Sequence, residues 1–273
     1  NTFMVSSYDQ TLKDLKINEK KINQIRPNSC ITFNFSKNFT KKIKFPVKKF
    51  YFNPKKKSTY KDFSKSFELA IKKRTMNTSK KIFVPLSSGH DSGLIAAILD
   101  NLKVAFTSYY VKYGEDKKIL DKRLFYLKKN KKIKINEVKV TDKLAKKERK
   151  FLKKKAPYFN VNTHYRPYFS DDFRDIPGVI ALSLICKLSR KDKNLIQLSG
   201  QGADEIISDY YHPSTNSKRS TIKGNWSNVR KPWPNFYGRW NKINLGVTER
   251  IAGANGIETR YPFLDYNVVQ SYL

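Results

Sequence analysis

The sequence predicts an α/β protein built on a doubly wound parallel sheet, and three features of it carry that prediction. From Lys81 onward, short apolar strand patterns alternate with helical ones. The links between them are short, which implies right-handed crossovers between parallel strands. Two of the predicted strands then end in runs of small and polar residues, where a doubly wound sheet places its ligands. With 273 residues, 39% of them hydrophobic, the chain has enough apolar surface for one large domain or two unequal ones.

Residues 1–54 read as strand-rich and irregular. I-T-F-N-F at 31–35 alternates apolar with polar, and K-K-F-Y-F at 48–52 reads as a further edge strand. The segment holds too few apolar residues to fold alone. A helix over 62–73 follows, with Phe63, Phe67, Ala70 and Ile71 at helical spacing. K-I-F-V-P-L (81–86) reads as a buried strand, 93–101 as a helix, 104–111 as a strand, 116–129 as a helix and 132–140 as a strand. A lysine-rich helical region (142–155) and an aromatic loop (158–173) precede a helix over 178–189 and a strand over 194–199. The loop's Tyr158, Tyr165, Tyr168 and Phe169 are read as packing against one another, with base stacking as the rarer outcome. S-G-Q-G-A-D-E (199–205) leads into another helix, 212–240 reads as an irregular insertion rich in Pro, Ser, Asn and Trp, and a last helix opens at Tyr266. No internal repeat is present.

Composition narrows the class. The two cysteines, Cys30 and Cys186, and three scattered histidines give neither a disulfide framework nor metal-ligand spacing, which favours a reducing, cytoplasmic setting. Cys30 is read as a small buried residue. His90, His164 and His212 carry no assigned role. No apolar run reaches the ~20 residues that cross a bilayer, and residues 1–13 lack the pattern of a signal peptide. The chain starts at Asn1 rather than Met and stops inside a new helix, as expected of an internal stretch of a longer protein. The net charge of +33 invites a nucleic-acid reading, but 44 of the 56 cationic residues are lysines spread along the whole chain. Recognition of phosphates or bases favours the bidentate fork of Arg, so solvated lysine faces are the preferred reading and nucleic acid is not expected as a partner.

The chemistry lies at the two strand ends. Ser87-Ser88-Gly89-His90-Asp91-Ser92-Gly93 offers small residues that let backbone N–H groups approach phosphate oxygens, hydroxyls that can donate, and a following helix N-terminus. It lacks the Gly-Lys-Ser/Thr ending of a Walker A loop. A carboxylate beside phosphates is repulsive unless a cation lies between them. Asp91 and, on the second segment, Asp204 therefore point to Mg²⁺, which binds through one or two carboxylates and fills its shell with phosphate oxygens and water. The plainer alternative is a strand–turn–helix joint capped by Asp91 or Ser92, and a glycine turn with Asp204 and Glu205 in a helix's first turn. Equivalent signals at two strand ends favour the site.

These residues carry a family resemblance. Leu86 to Gly93 resembles the S-G-G-x-D-S signature of the PP-loop ATP pyrophosphatases, which cleave ATP between its α and β phosphates. L-S-G-Q-G-A-D-E at 198–205 resembles the S-G-E-G-A/S-D-E motif of the asparagine synthetase family, and G-I-E-T-R-Y-P-F-L-D at 256–265 its E-x-R-x-P-F-L-D segment, all in the family's order. The implied fold is the adenine nucleotide alpha hydrolase-like one, preceded by a β-rich remnant of a glutaminase domain. R-P-N-S-C-I-T-F-N-F and K-F-Y-F-N-P resemble that domain's last strands and exit. The implied boundaries are 1–55 for the remnant and 56–273 for the ATP-binding domain.

What the resemblance implies is a ligase. ATP activates the side-chain carboxylate of aspartate as an acyl-adenylate, releasing pyrophosphate, and ammonia drawn from glutamine by an upstream glutaminase domain attacks it. Ser87, Ser88, Gly89, Asp91 and Ser92 would hold pyrophosphate; Asp91 and Asp204 would hold Mg²⁺; Leu86, Ser199 and Gly200 would line the adenylate. Glu258 and Arg260 would shape the acid site, with a structural ion pair as the competing reading. A homodimer is also implied. Two residues depart from the pattern: Ser88 stands for a glycine, and Gln201 for a Glu, which an amide cannot replace as a proton acceptor. The family's pyrophosphate-binding lysine follows the P-F-L-D segment, beyond Leu273. Close alternatives are an enzyme adenylating another acid, as β-lactam synthetase and peptide macrocyclases do, and a tRNA-modifying PP-loop enzyme, which would lack the second and third motifs. A non-catalytic binding module is the remaining reading.

Overall fold

The computed structural model describes residues 3–35, 40–51, 59–158, 172–206 and 239–273. His164, Tyr165, Tyr168, Phe169, His212 and all but the end of the 212–240 insertion lie outside them. The chain divides into two compact units, 1–51 and 52–273.

The first unit holds helix α1 (Asp9–Asp14) and two antiparallel strands, β1 (Cys30–Asn34) and β2 (Thr40–Lys44). The partner of β1 is thus T-K-K-I-K, while residues 48–51 of the expected edge strand form no ladder. With Thr40, Lys41, Lys42 and Lys44 around a single Ile43, β2 has no apolar alternation to read. Residues 47 and 48 are tied instead to Asn28: Val47 N–H donates to its carbonyl at 3.0 Å and Lys48 N–H to its side chain at 2.9 Å. Cys30 is exposed, not buried, because a two-stranded ladder covers only alternate side chains of β1. Phe3, Phe33 and Phe35 cluster on this unit.

The second unit is the doubly wound α/β fold. Its five strands, β3 (Lys81–Leu86), β4 (Thr107–Tyr110), β5 (Lys134–Glu137), β6 (Asn194–Leu198) and β7 (Glu258–Arg260), pair in parallel in the order β5-β4-β3-β6-β7. Period-two alternation sends successive side chains into two cores. Ile82, Val84 and Leu86 of β3 and Ile196 and Leu198 of β6 face one core with α2 (Lys61–Thr75), α3 (His90–Asn101) and α4 (Lys117–Lys128). Phe83 faces the other, made with α5 (Asp142–Lys155), α6 (Pro177–Lys191) and α8 (Arg239–Ala254). Burial on both faces explains why β3 reads as a near-continuous apolar run.

Some boundaries differ from the sequence reading for local reasons. Helix α3 begins at His90, three residues before Gly93, with Gly89 as an N-cap whose position carries no side-chain cap bond. Neither Asp91 nor Ser92 is therefore the cap. The strand expected over 104–111 is laddered only over 107–110, since Val104 N–H still donates to Leu99 at the end of α3. The sequence reading places no element over helix α8 or the three-residue strand β7. Cys186 is fully buried on α6, and burial pushes its thiol up to about 12. Among the described residues no helix is long and apolar enough to cross a membrane.

Candidate active site

The chain runs β3, β4, β5 towards one edge and then returns to lay β6 and β7 on the other side of β3. The strand order reverses between β3 and β6, and the crevice beyond their carboxyl ends is where such sheets hold ligands. Here the two strands pair only as far as Phe83 opposite Gln197. Pro85, still paired with Tyr109 of β4 but lacking an N–H, sits beyond the last pair with β6 and lines the cleft that opens there.

The first turn, after β3, is held by its own hydroxyls. Ser92 Oγ accepts from Ser87 N–H at 3.0 Å and lies 2.8 Å from Ser87 Oγ, which in turn accepts from Gly89 N–H at 3.1 Å. Arg123, from α4, donates to the carbonyls of Ser87 and Gly89, both at 2.6 Å. Those carbonyls are thereby satisfied from outside the cleft. Asp91 falls in the first turn of α3, where the helix dipole favours a carboxylate.

The second turn, after β6, is held by packing and by hydrogen bonds of Ser199. A Cβ on Gly200 would lie 2.6 Å from the Cβ of Asp91, so only a glycine lets this backbone touch the first turn. Gly202 has φ +98° and lies against Leu264, whose Cδ2 would be 2.5 Å from an added Cβ. Ser199 Oγ accepts from Gln201 N–H at 3.2 Å, and Ser199 N–H donates to the Arg260 carbonyl at 3.0 Å. Asp204 enters the short helix α7 (Ala203–Ile206).

The two turns enclose a polar cleft of about 240 Å³. Ser87, Gly89, Asp91 and Ser92 line it from one side; Ser199, Gly200, Gln201 and Asp204 line it from the other. Asp91 and Asp204 also border a larger, mainly apolar cavity of about 860 Å³ between α2, α3 and α4, to which Leu86 and Arg123 contribute. Among the described residues no three His, Cys, Asp or Glu side chains gather as a metal cage. Two carboxylates facing a phosphate-type cradle are nevertheless the donor set that suits Mg²⁺, which leaves most of its shell to phosphate oxygens and water.

Four predicted residues stand apart from the cleft. Leu86 is buried in the core, and Ser88 turns towards Glu115, in the turn after β4. Glu258 and Arg260 pair with each other at 2.7 Å, and Arg260 Nη1 donates to the Arg74 carbonyl at the end of α2, 2.5 Å away. The rest of that segment anchors the fold. Phe263 packs on Phe67 with centroids 4.3 Å apart, and Asp265 binds Lys73 at 2.9 Å and Arg74 at 3.0 Å while capping α9 (Tyr266–Tyr272). Burial pushes the Asp265 carboxyl up, but the bonds from Lys73, Arg74 and the Asn267 N–H outweigh it and hold it below the ordinary value.

Sequence reasoning missed Glu115 and Arg123, and also Gln197 and Thr248, which line the cleft from β6 and α8. Arg123 left a faint signal, a lone arginine in a helix of lysines beside the Leu120, Leu124 and Leu127 stripe. Thr248 left none.

Fold and site together define a doubly wound α/β protein with a turn of small and hydroxyl residues at its topological switch point. The asparagine synthase family model matches residues 62–245, two thirds of the chain, and the chain belongs to that family. It is 24% identical over 276 residues to "Putative asparagine synthetase (glutamine-hydrolyzing) 1" of Methanocaldococcus jannaschii, an alignment covering 98% of this chain and 46% of that protein. It is also 35% identical over 74 residues to "Asparagine synthetase domain-containing protein 1" of Homo sapiens, covering 27% of this chain and 11% of that one. The chain thus spans less than half the length of either relative.

Proposed function

We propose that the second unit activates a carboxylic acid with ATP for amide formation, and that the acid is aspartate. The observation that supports this most is the convergence of Asp91 and Asp204 on one cleft with the hydroxyls of Ser87, Ser92 and Ser199. A carboxylate does not accept ammonia, so it must first become an acylating agent. In the proposed reaction an oxygen of the aspartate side chain attacks the α-phosphorus of ATP, the bond to the β-phosphate oxygen breaks, and pyrophosphate leaves with that electron pair. Ammonia then attacks the acyl carbon and AMP departs with the C–O electrons. Catalysis of this kind is positioning and charge neutralisation rather than side-chain nucleophilicity.

In this reading Ser87, Gly89 and Ser92 grip the pyrophosphate portion, while Ser199 and Gly200 lie along the adenylate. Asp91 and Asp204 would hold Mg²⁺, which when bound supplies positive charge to the phosphates. Gln201 can hydrogen-bond the incoming amine but cannot take its proton at neutral pH, so the proton leaves to another acceptor. Glu258 and Arg260 are assigned to the acid site by the family pattern alone; their mutual ion pair favours a structural role. The first unit would be the tail of an N-terminal glutaminase domain that delivers ammonia, with the boundary near residue 55, in a cytoplasmic protein.

The test is exchange of labelled pyrophosphate into ATP by the purified protein. Exchange that requires aspartate and Mg²⁺ is the expected result. Exchange with a different carboxylic acid would move the substrate, and no exchange with any acid would overturn the reading.

A further inference from the structure

Ser88, the residue that stands where the family has a glycine, is held through both its backbone and its side chain. Its backbone N–H and its hydroxyl both donate to a single oxygen, Oε2 of Glu115, the hydroxyl at 2.5 Å. Its Oγ also accepts from the N–H of Asp116 at 3.1 Å. Glu115 is fixed in turn by its neighbour, because Asp116 caps α4 by accepting from Ile119 N–H at 3.0 Å. The result is one anionic oxygen held by a backbone N–H and a hydroxyl inside a phosphate-type loop. A phosphate oxygen in such a loop makes the same kind of contacts.

We propose that Glu115 is a resident anion of this loop: its carboxylate takes the Ser88 donors that a polyphosphate oxygen would use, and yields them when the polyphosphate binds. The proposal rests on the reading of the loop as a pyrophosphate site. Two anions cannot share one N–H at hydrogen-bond distance without severe like-charge repulsion, so binding and the Ser88–Glu115 contact compete. Ser88 strengthens the competitor, since its hydroxyl adds a donor that a glycine does not have. This chain therefore sets its affinity for polyphosphate through the turn before α4, outside the cleft itself. Arg123 remains on the carbonyls of Ser87 and Gly89 and keeps the loop in shape while Glu115 is exchanged.

The experiment is calorimetric titration of the purified protein with pyrophosphate in excess Mg²⁺, for wild type, Glu115→Ala, Glu115→Gln, Ser88→Gly and Ser92→Ala. Removing a charged hydrogen-bonding competitor is expected to tighten binding about tenfold in Glu115→Ala. Glu115→Gln, which preserves the shape of the turn and guards against misfolding, is expected to move the same way, and Ser88→Gly by a smaller factor. Equal or weaker binding in both Glu115 variants would overturn the proposal, making Glu115 a brace of the loop. If those variants are unchanged while Ser92→Ala weakens binding, the competitor falls and the pyrophosphate site stands. If no protein in the series binds pyrophosphate, both fall.

Discussion

The two turns that form the cleft do the same job by different means. The turn after β3 is braced by hydrogen bonds, from Ser92 within and from Arg123 outside. The turn after β6 has its Ser199 hydrogen bonds too but adds close contact, with Gly200 on Asp91 and Gly202 on Leu264. A loop whose N–H groups are held by side chains can exchange those bonds for an anion and adapt to it. A loop braced by backbone contact fixes a distance, here the approach of one carboxylate-bearing turn to the other.

That contrast predicts unequal sensitivities. Gly200→Ala should have the largest effect, because its Cβ must push Asp91 aside; pyrophosphate–ATP exchange is expected to fall by about 10²-fold or more while the protein still folds, as circular dichroism would show. Gly202→Ala should act on stability first. A positive φ costs roughly 1–2 kcal/mol for an L-residue and the overlap with Leu264 adds to it, so a loss of about 2–3 kcal/mol is expected in denaturant unfolding. Ser92→Ala should be milder, weakening ATP binding about tenfold and stability by roughly 1 kcal/mol, since only hydrogen bonds of the adaptable turn are lost.

The smallest effect lies away from the cleft. The Asp265 carboxyl has a depressed native value, so its contribution to stability is complete above its unfolded pKa of about 3.9 and is lost as pH falls through the lower native value. Unfolding free energy measured between about pH 5 and pH 2 should therefore decline less steeply in Asp265→Asn than in wild type. An unchanged slope would remove Asp265 from its anchoring role.

The same contrast explains what could be read in the sequence. Strand β3, helix α5 and the glycines of S-G-Q-G-A-D-E were legible because two-sided burial and tight turns demand particular residue types locally. Partners that arrive from distant elements were not. Glu115 meets Ser88 only because β4 lies beside β3, and Thr248 reaches the cleft from α8, far along the chain from either turn. Asp265 carried no assignment in the sequence although it closes the E-T-R-Y-P-F-L-D segment, and its carboxylate ties α2 to the start of α9. A short sequence motif does not say whether its charged residue faces a ligand or the protein's own backbone.

The central claim is that Asp91 and Asp204 act on one ion between the two turns. A double-mutant cycle on ATP binding, measured by calorimetry with and without Mg²⁺ for wild type, Asp91→Asn, Asp204→Asn and the double variant, tests it most directly. If the carboxylates share the ion, each single change abolishes most of the Mg²⁺-dependent gain in affinity and the double change costs little more. Additive losses, or a variant that keeps the full Mg²⁺ dependence, would contradict it.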